Sequence, residues 1–80
     1  MAAPVEELLA HLARALVTNP DEVRVVRSER EDEVLFELHV AAEDVGKVIG
    51  KGGRTVRSLR TLVRASGAKA GERRHLEIVG

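Results

Sequence analysis

Val34, Phe36, Leu38 and Val40 recur at every second position, separated by Leu35, Glu37 and His39. No other feature constrains the fold as much, because a strand patterned this way carries one apolar face that has to be covered. Cover is available on both sides of it in the chain. Val5, Leu8, Leu9, Leu12, Leu16 and Val17 follow Pro4 at helical spacing, with Glu6 and Glu7 where the positive end of a helix dipole favours acids. A helix is therefore expected over residues 4–17. Thr18-Asn19-Pro20-Asp21 stops it, since Pro20 cannot extend the hydrogen-bond ladder and forces Asn19 out of helical geometry.

Val23 and Val25 alternate with Arg24 and Val26 in a first strand, and the polar run Ser28 to Asp32 reads as its connection to the second. Asp44 is positioned to cap a very short helix over Val45 to Ile49, which the glycines of Gly50-Lys51-Gly52-Gly53 end. In the longer helix that follows, Val56, Leu59 and Val63 fall within about 60° of one another, while Arg54, Arg57, Arg60 and Arg64 spread over an adjoining arc. Gly67 and Gly71 bracket its exit, and Leu76 and Ile78 alternate with His75, Glu77 and Val79 in a last strand. The order αββααβ predicts an α+β two-layer sandwich, a three-stranded mixed sheet with all helices on one face. The second strand is expected at the centre, with the third parallel beside it if the two-helix connection is right-handed, as such connections nearly always are.

Eighty residues suffice for one small domain, residues 1–80, and exclude a second. With 44% hydrophobic and 32% charged residues, the composition fits a soluble globular chain and neither disorder nor a membrane span. The absence of cysteine removes disulfides, thiolate metal sites and cysteine nucleophiles. Neither a basic secretion-type leader nor an apolar stretch of membrane-spanning length is present, so a cytoplasmic location is expected.

The net charge of zero is a cancellation between two unlike regions. Between Val45 and Gly71 stand seven bases (Lys47, Lys51, Arg54, Arg57, Arg60, Arg64, Lys69) and no acid, whereas the rest of the chain holds six bases and all thirteen acids. A polyanion would be drawn to the one segment and repelled by the remainder, which makes nucleic acid the leading partner. Exposed helix faces usually mix both signs of charge, and this one does not.

Three phosphate-binding templates compete for Gly46-Lys47-Val48-Ile49-Gly50-Lys51-Gly52-Gly53-Arg54. A Walker A loop needs four residues before its Gly-Lys pair and a hydroxyl after the lysine, but three residues separate Gly46 from Gly50 and Gly52 follows Lys51. The dinucleotide fingerprint fails on spacing and lacks its later acid. A G-x-x-G turn between two helices fits better: with side chains absent, a nucleic-acid backbone can approach the main chain closely.

At these residues the chain resembles the KH-domain family. Val48-Ile49-Gly50-Lys51-Gly52-Gly53-Arg54-Thr55 looks like the KH signature, and the element order is that of the type II KH fold over essentially all 80 residues. Asp44 through Thr55 and the continuation Leu59 to Val63 resemble the small stand-alone bacterial KH proteins of the KhpA type most closely. The resemblance implies a two-layer type II KH sandwich that binds single-stranded RNA as a chaperone or post-transcriptional regulator linked to cell elongation. It also implies pairing with itself or with a KhpB-type KH protein. Carried over position by position, Gly50, Lys51, Gly52 and Gly53 would clamp sugar-phosphate, with Lys47, Lys51, Arg54 and Arg57 as cations and Val48 and Ile49 as an apolar groove floor. Phe36 is the one aromatic residue and lies on the strand face expected to be buried, which disfavours stacking of bases on an open sheet.

The remaining reactive side chains form no constellation. His11, His39 and His75 are dispersed without metal-ligand spacing, and Ser28, Ser58 and Ser66 have no evident base partner, so no metal, cofactor, small-molecule substrate or enzymatic activity is expected. His39 and His75 fall on the open sheet face, where strand pairing leaves room for a pH-sensitive pair without requiring one. Leu62 falls at the edge of the packing face of the longer helix, Val26, Leu35 and Val79 point away from the helices, and together they offer a partner surface. The competing reading is therefore a protein-interaction adaptor that keeps the KH shape and docks an acidic partner on its basic face, without essential RNA binding.

Overall fold

Helix α1 (Val5–Leu16) begins directly after Pro4, whose missing N–H costs nothing at a helix start. It is the first element of a computed structural model that describes residues 4–80. The rest follow as β1 (Arg24–Arg30), β2 (Glu33–His39), α2 (Val45–Ile49), α3 (Arg54–Ala68) and β3 (Arg73–Val79), with short 3-10 turns at Pro20–Glu22, Ala42–Asp44 and Lys51–Gly53. The order is αββααβ, as the residue patterns require. The sheet order is β1-β2-β3, with β1 antiparallel and β3 parallel to the central β2. Helix α1 packs mainly over β1 and α3 mainly over β3.

The alternation in β2 sets the core. Val34, Phe36 and Leu38 are buried beneath the helices, where they meet Leu9 and Ala13 of α1, Val48 of α2 and Leu59 and Val63 of α3. The α1 packing face differs from the apolar spacing: Leu8 and Leu16 are exposed at 38% and 41%, while Ala10 and Ala13 are buried. Small residues let the helix axis approach the sheet closely, which pushes the neighbouring leucines to the rim.

The first connection is also tighter than the polar run suggests. Ser28, Glu29 and Arg30 continue β1 and pair with Leu35, Val34 and Glu33, so only Glu31 and Asp32 form the turn. Glu31 takes φ 53° to reverse the chain. On an edge strand, ladder hydrogen bonds with β2 outweigh the weak strand preference of these polar side chains.

Gly67 does not mark the end of α3. It lies inside the helix, and a Cβ there would stand 2.7 Å from the Glu72 carbonyl oxygen and 2.8 Å from Arg74 Cγ. The chain leaves the helix after Ala68 and turns at Gly71, φ 69°. Below Gly67, Arg74 donates to Glu72 Oε1 at 2.7 and 3.1 Å and to Ser66 Oγ at 3.0 Å. Its guanidinium lies 5.7 Å from the centre of the Phe36 ring, with Arg27 at 5.9 Å. Two cations beside one buried ring add about 0.5–2 kcal/mol each to its apolar burial.

The parallel register places Leu35 opposite His75 and His39 opposite Val79. His39 and His75 are therefore four β2 positions apart, about 13 Å along the strand, and no histidine pair forms. Each sits instead by an acid, His39 Nε2 3.3 Å from Glu37 and His75 Nε2 3.5 Å from Glu33. Leu62, Val26, Leu35 and Val79 are all half-buried rather than fully free.

Candidate nucleic-acid interface

The loop between α2 and α3 is built by three demands for positive φ. Gly50 takes φ 77°, ψ 171°, Gly52 φ 66°, ψ 17° and Gly53 φ 75°, ψ 14°. The Gly50 conformation belongs to a region almost reserved for glycine, while the other two are left-handed helical. A Cβ on Gly50 would collide with the Thr55 hydroxyl and lie 2.8 Å from Thr55 Cβ, so glycine here lets α2 close on the first turn of α3. A Cβ on Gly52 would meet nothing within 4 Å. The outer side of the loop is open where a backbone could pass.

Charge is arranged around that opening. Lys51 and Arg54 are exposed, and the Arg57 guanidinium donates to the Gly52 carbonyl oxygen at 3.2 Å, bracing the loop from the first turns of α3. Gly53 gives α3 no side-chain cap, and the first turn of this fifteen-residue helix holds no acid. Its leading N–H groups and its positive dipole end thus face the loop without a neutralising side chain, an arrangement that favours an anion. Among the described residues, none of Lys51, Arg54, Arg57, Arg60 and Arg64 forms an ion pair.

The other expected contacts sit differently. Lys47 points its ammonium at Asp44 Oδ1, 3.2 Å away, and at the Thr18 hydroxyl, so it is tied to the scaffold beside the loop. Val48 has no exposed surface and supports the apolar floor from beneath, whereas Ile49 is half-buried at the foot of the loop. Asp44 does not cap α2 with its side chain. Its buried carboxylate instead accepts from Thr18 N and Asn19 N at 3.0 Å each, from Asn19 Nδ2 at 3.0 Å and from Lys47. The Thr18 amide is the largest influence holding this carboxyl well below the ordinary carboxylate range, against burial, which raises it; Asn19 and Lys47 add to the lowering. Asp44 thereby staples the start of α2, and with it the loop, to the chain leaving α1. Neither this staple nor the Thr55 contact was evident from spacing alone, although Asp44 and Thr55 flank the glycine motif in the chain.

The acids gather elsewhere. Glu29, Glu31, Asp32, Glu33 and Glu72 line one recess at the hairpin tip. Among the described residues, no group of three histidines or carboxylates could hold a metal ion, and no helix is long and apolar enough to cross a membrane.

Comparison with known proteins agrees with this geometry. A family model described as KhpA/KhpB, KH domain, matches residues 6–78. The RNA-binding protein KhpA of Treponema pallidum (strain Nichols) is 52% identical over 79 residues, covering 99% of each chain. RNA-binding protein KhpA of Bacillus subtilis (strain 168) is 40% identical over 74 residues, 92% of this chain and 91% of the relative. The protein of the same name in Mycobacterium tuberculosis (strain ATCC 25618 / H37Rv) is 49% identical over 71 residues, 86% of each. With the glycine loop, the αββααβ order and a match spanning nearly its whole length, the chain belongs to the KhpA/KhpB family of KH-domain proteins.

Proposed function

We propose that this protein binds single-stranded RNA in the cytoplasm, gripping its backbone at Gly50–Gly53, and acts in post-transcriptional control together with a second KH protein, either another copy or a KhpB-type partner. The observation that carries the reading is the open outer side of Gly52 beside Lys51 and Arg54, which have no acid partner among the described residues. Lys51 and Arg54 offer charge at the tip, Arg57 offers charge while bracing the Gly52 carbonyl, and Ile49 supplies an apolar surface for a base. With Phe36 buried, bases rest on aliphatic groups and forgo aromatic stacking of about 1–3 kcal/mol each, so affinity per site is modest and sequence preference weak. The names of the relatives support RNA as the ligand, and the role in cell elongation that the resemblance implies is part of the same proposal. The action proposed is binding, with no bond made or broken.

Fluorescence anisotropy with short unpaired RNA at two salt concentrations tests this, comparing the natural chain with a Lys51→Asp/Gly52→Asp variant. The fold should survive both changes: Lys51 is exposed, and a left-handed position with free space above it accepts aspartate better than most residues. Binding should weaken as salt rises and fall at least about tenfold in the variant. Equal binding by the two folded proteins would remove the loop from the interface and favour the adaptor reading.

A further inference from the structure

One peptide unit of the chain has no Cβ on either side, the one that joins Gly52 to Gly53. Both residues take positive φ, 66° and 75°. Such a unit rotates more freely than its neighbours, because no side chain stands in the way on either side. It is nevertheless held at both ends. Its N–H donates to the Gly50 carbonyl oxygen at 3.1 Å, and its own carbonyl oxygen accepts from Arg57 Nη2 at 3.2 Å. The same nitrogen would lie 3.9 Å from a Cβ on Gly53, so the guanidinium is laid along both glycines. Arg57 itself stands within α3, which fixes the base of its side chain, and among the described residues it forms no ion pair that would draw it elsewhere.

Rotation of the Gly52–Gly53 unit would break both bonds and carry Gly52 toward the extended positive-φ region that glycine alone enters. Without Arg57 a single surface hydrogen bond opposes that rotation, a modest restraint on two glycines. A loop that spends part of its time in other shapes binds more weakly in proportion to the time lost. We infer that Arg57 is a positioning residue for RNA binding, whose N–H donor locks the Gly52–Gly53 peptide in the shape that meets the strand and contributes beyond what its charge does. This rests on the RNA reading of the loop and deepens it. The resemblance makes Arg57 a cation set against phosphate, whereas its hydrogen bond makes it the brace behind the loop. Lys51 and Arg54 are exposed and their side chains make no hydrogen bond among the described residues, so they are the cations left for the phosphates.

The test separates donor from charge with two chains made by chemical synthesis, Arg57→citrulline and Arg57→Ala. Citrulline is uncharged but keeps a planar head with an N–H donor at the same reach, whereas alanine keeps neither. Both lose the same charge, so a difference between them reads the donor. In the free proteins, exchange of the Gly53 amide hydrogen with water, followed by NMR, should be slow in the natural and citrulline chains and at least about tenfold faster in the alanine chain. The amides of Leu59 and Val63 in the buried face of α3 should exchange alike in all three, which controls for folding. In anisotropy titrations with short unpaired RNA at one salt concentration, the citrulline chain should bind at least about fivefold more tightly than the alanine chain. Equal affinities of these two chains would overturn the inference and leave Arg57 a charge alone. An unchanged Gly53 exchange rate in the alanine chain would overturn it as well. Failure of the natural chain to bind RNA would overturn the loop reading itself, a result distinct from either of these.

Discussion

Gly50 and Gly52 have the same side chain and opposite reasons for it. Gly50 holds a glycine-reserved backbone conformation and abuts Thr55, so alanine there meets both torsional strain and a collision. Gly52 is left-handed with free space outside it, so alanine meets the torsional penalty alone. Gly50→Ala should therefore lower unfolding free energy by at least about 2–3 kcal/mol, and Gly52→Ala by about 1 kcal/mol, as read from urea denaturation. Equal losses would show that the Thr55 contact does not matter. The G-x-x-G spacing marked both residues in the sequence, but which one packs and which one faces outward depends on α2 closing on α3.

Helix α3 shows how an element can contradict the residues that compose it. Replacing a glycine inside a helix by alanine ordinarily stabilises the helix by about 0.8–1 kcal/mol. At Gly67 the added Cβ would press on the Glu72 carbonyl and the Arg74 side chain, both fixed by hydrogen bonds beneath it. Gly67→Ala should accordingly destabilise the protein by about 1–3 kcal/mol, with the thermal midpoint falling in a scanning experiment; a rise would mean that the α3–β3 seam yields easily. In the sequence Gly67 resembles a helix terminator, because a terminal glycine and a close-packing one look alike until the returning strand is in place. The β1–β2 hairpin makes the same point: Ser28, Glu29 and Arg30 read as a connection by composition, and pairing with β2 makes them strand.

Across the whole molecule, the Asp44 staple joins the N-terminal helix to the half that carries the loop. Its carboxyl is held below the unfolded value of about 3.9, chiefly by the Thr18 amide, so the folded chain binds its proton less readily than the unfolded one. The stabilisation it contributes is complete above that unfolded value and is lost as pH falls through it toward the depressed folded value. Asp44→Asn should lower the urea midpoint at neutral pH, with the gap to the natural chain closing as pH falls below about 3.9. A gap that stays constant with pH would show that the side chain matters for its shape and not its charge. The charge layout is a property of the same scale. Net charge is zero, yet the unpaired bases of α3 and the loop and the acids of the hairpin tip lie on different parts of the surface, which gives an approaching polyanion one orientation.

The element order, the central place of β2, the buried face of Phe36 and the basic identity of the loop and α3 were all legible in the chain, because they follow from local periodicity and from counting charges, neither of which needs a partner element. The contacts that finish the site were not. Asp44 reaches residues 25 and 26 positions away, Arg74 reaches under Gly67 to Ser66, and the separation of His39 from His75 is a matter of strand register. Each depends on two segments distant in sequence meeting at one point, and side-chain patterns along a single segment carry no information about that meeting. The chain thus announces a glycine loop with positive charge, while the packing of α2, α3 and β3 settles which glycine is open, which lysine is tied down and which arginines stay free.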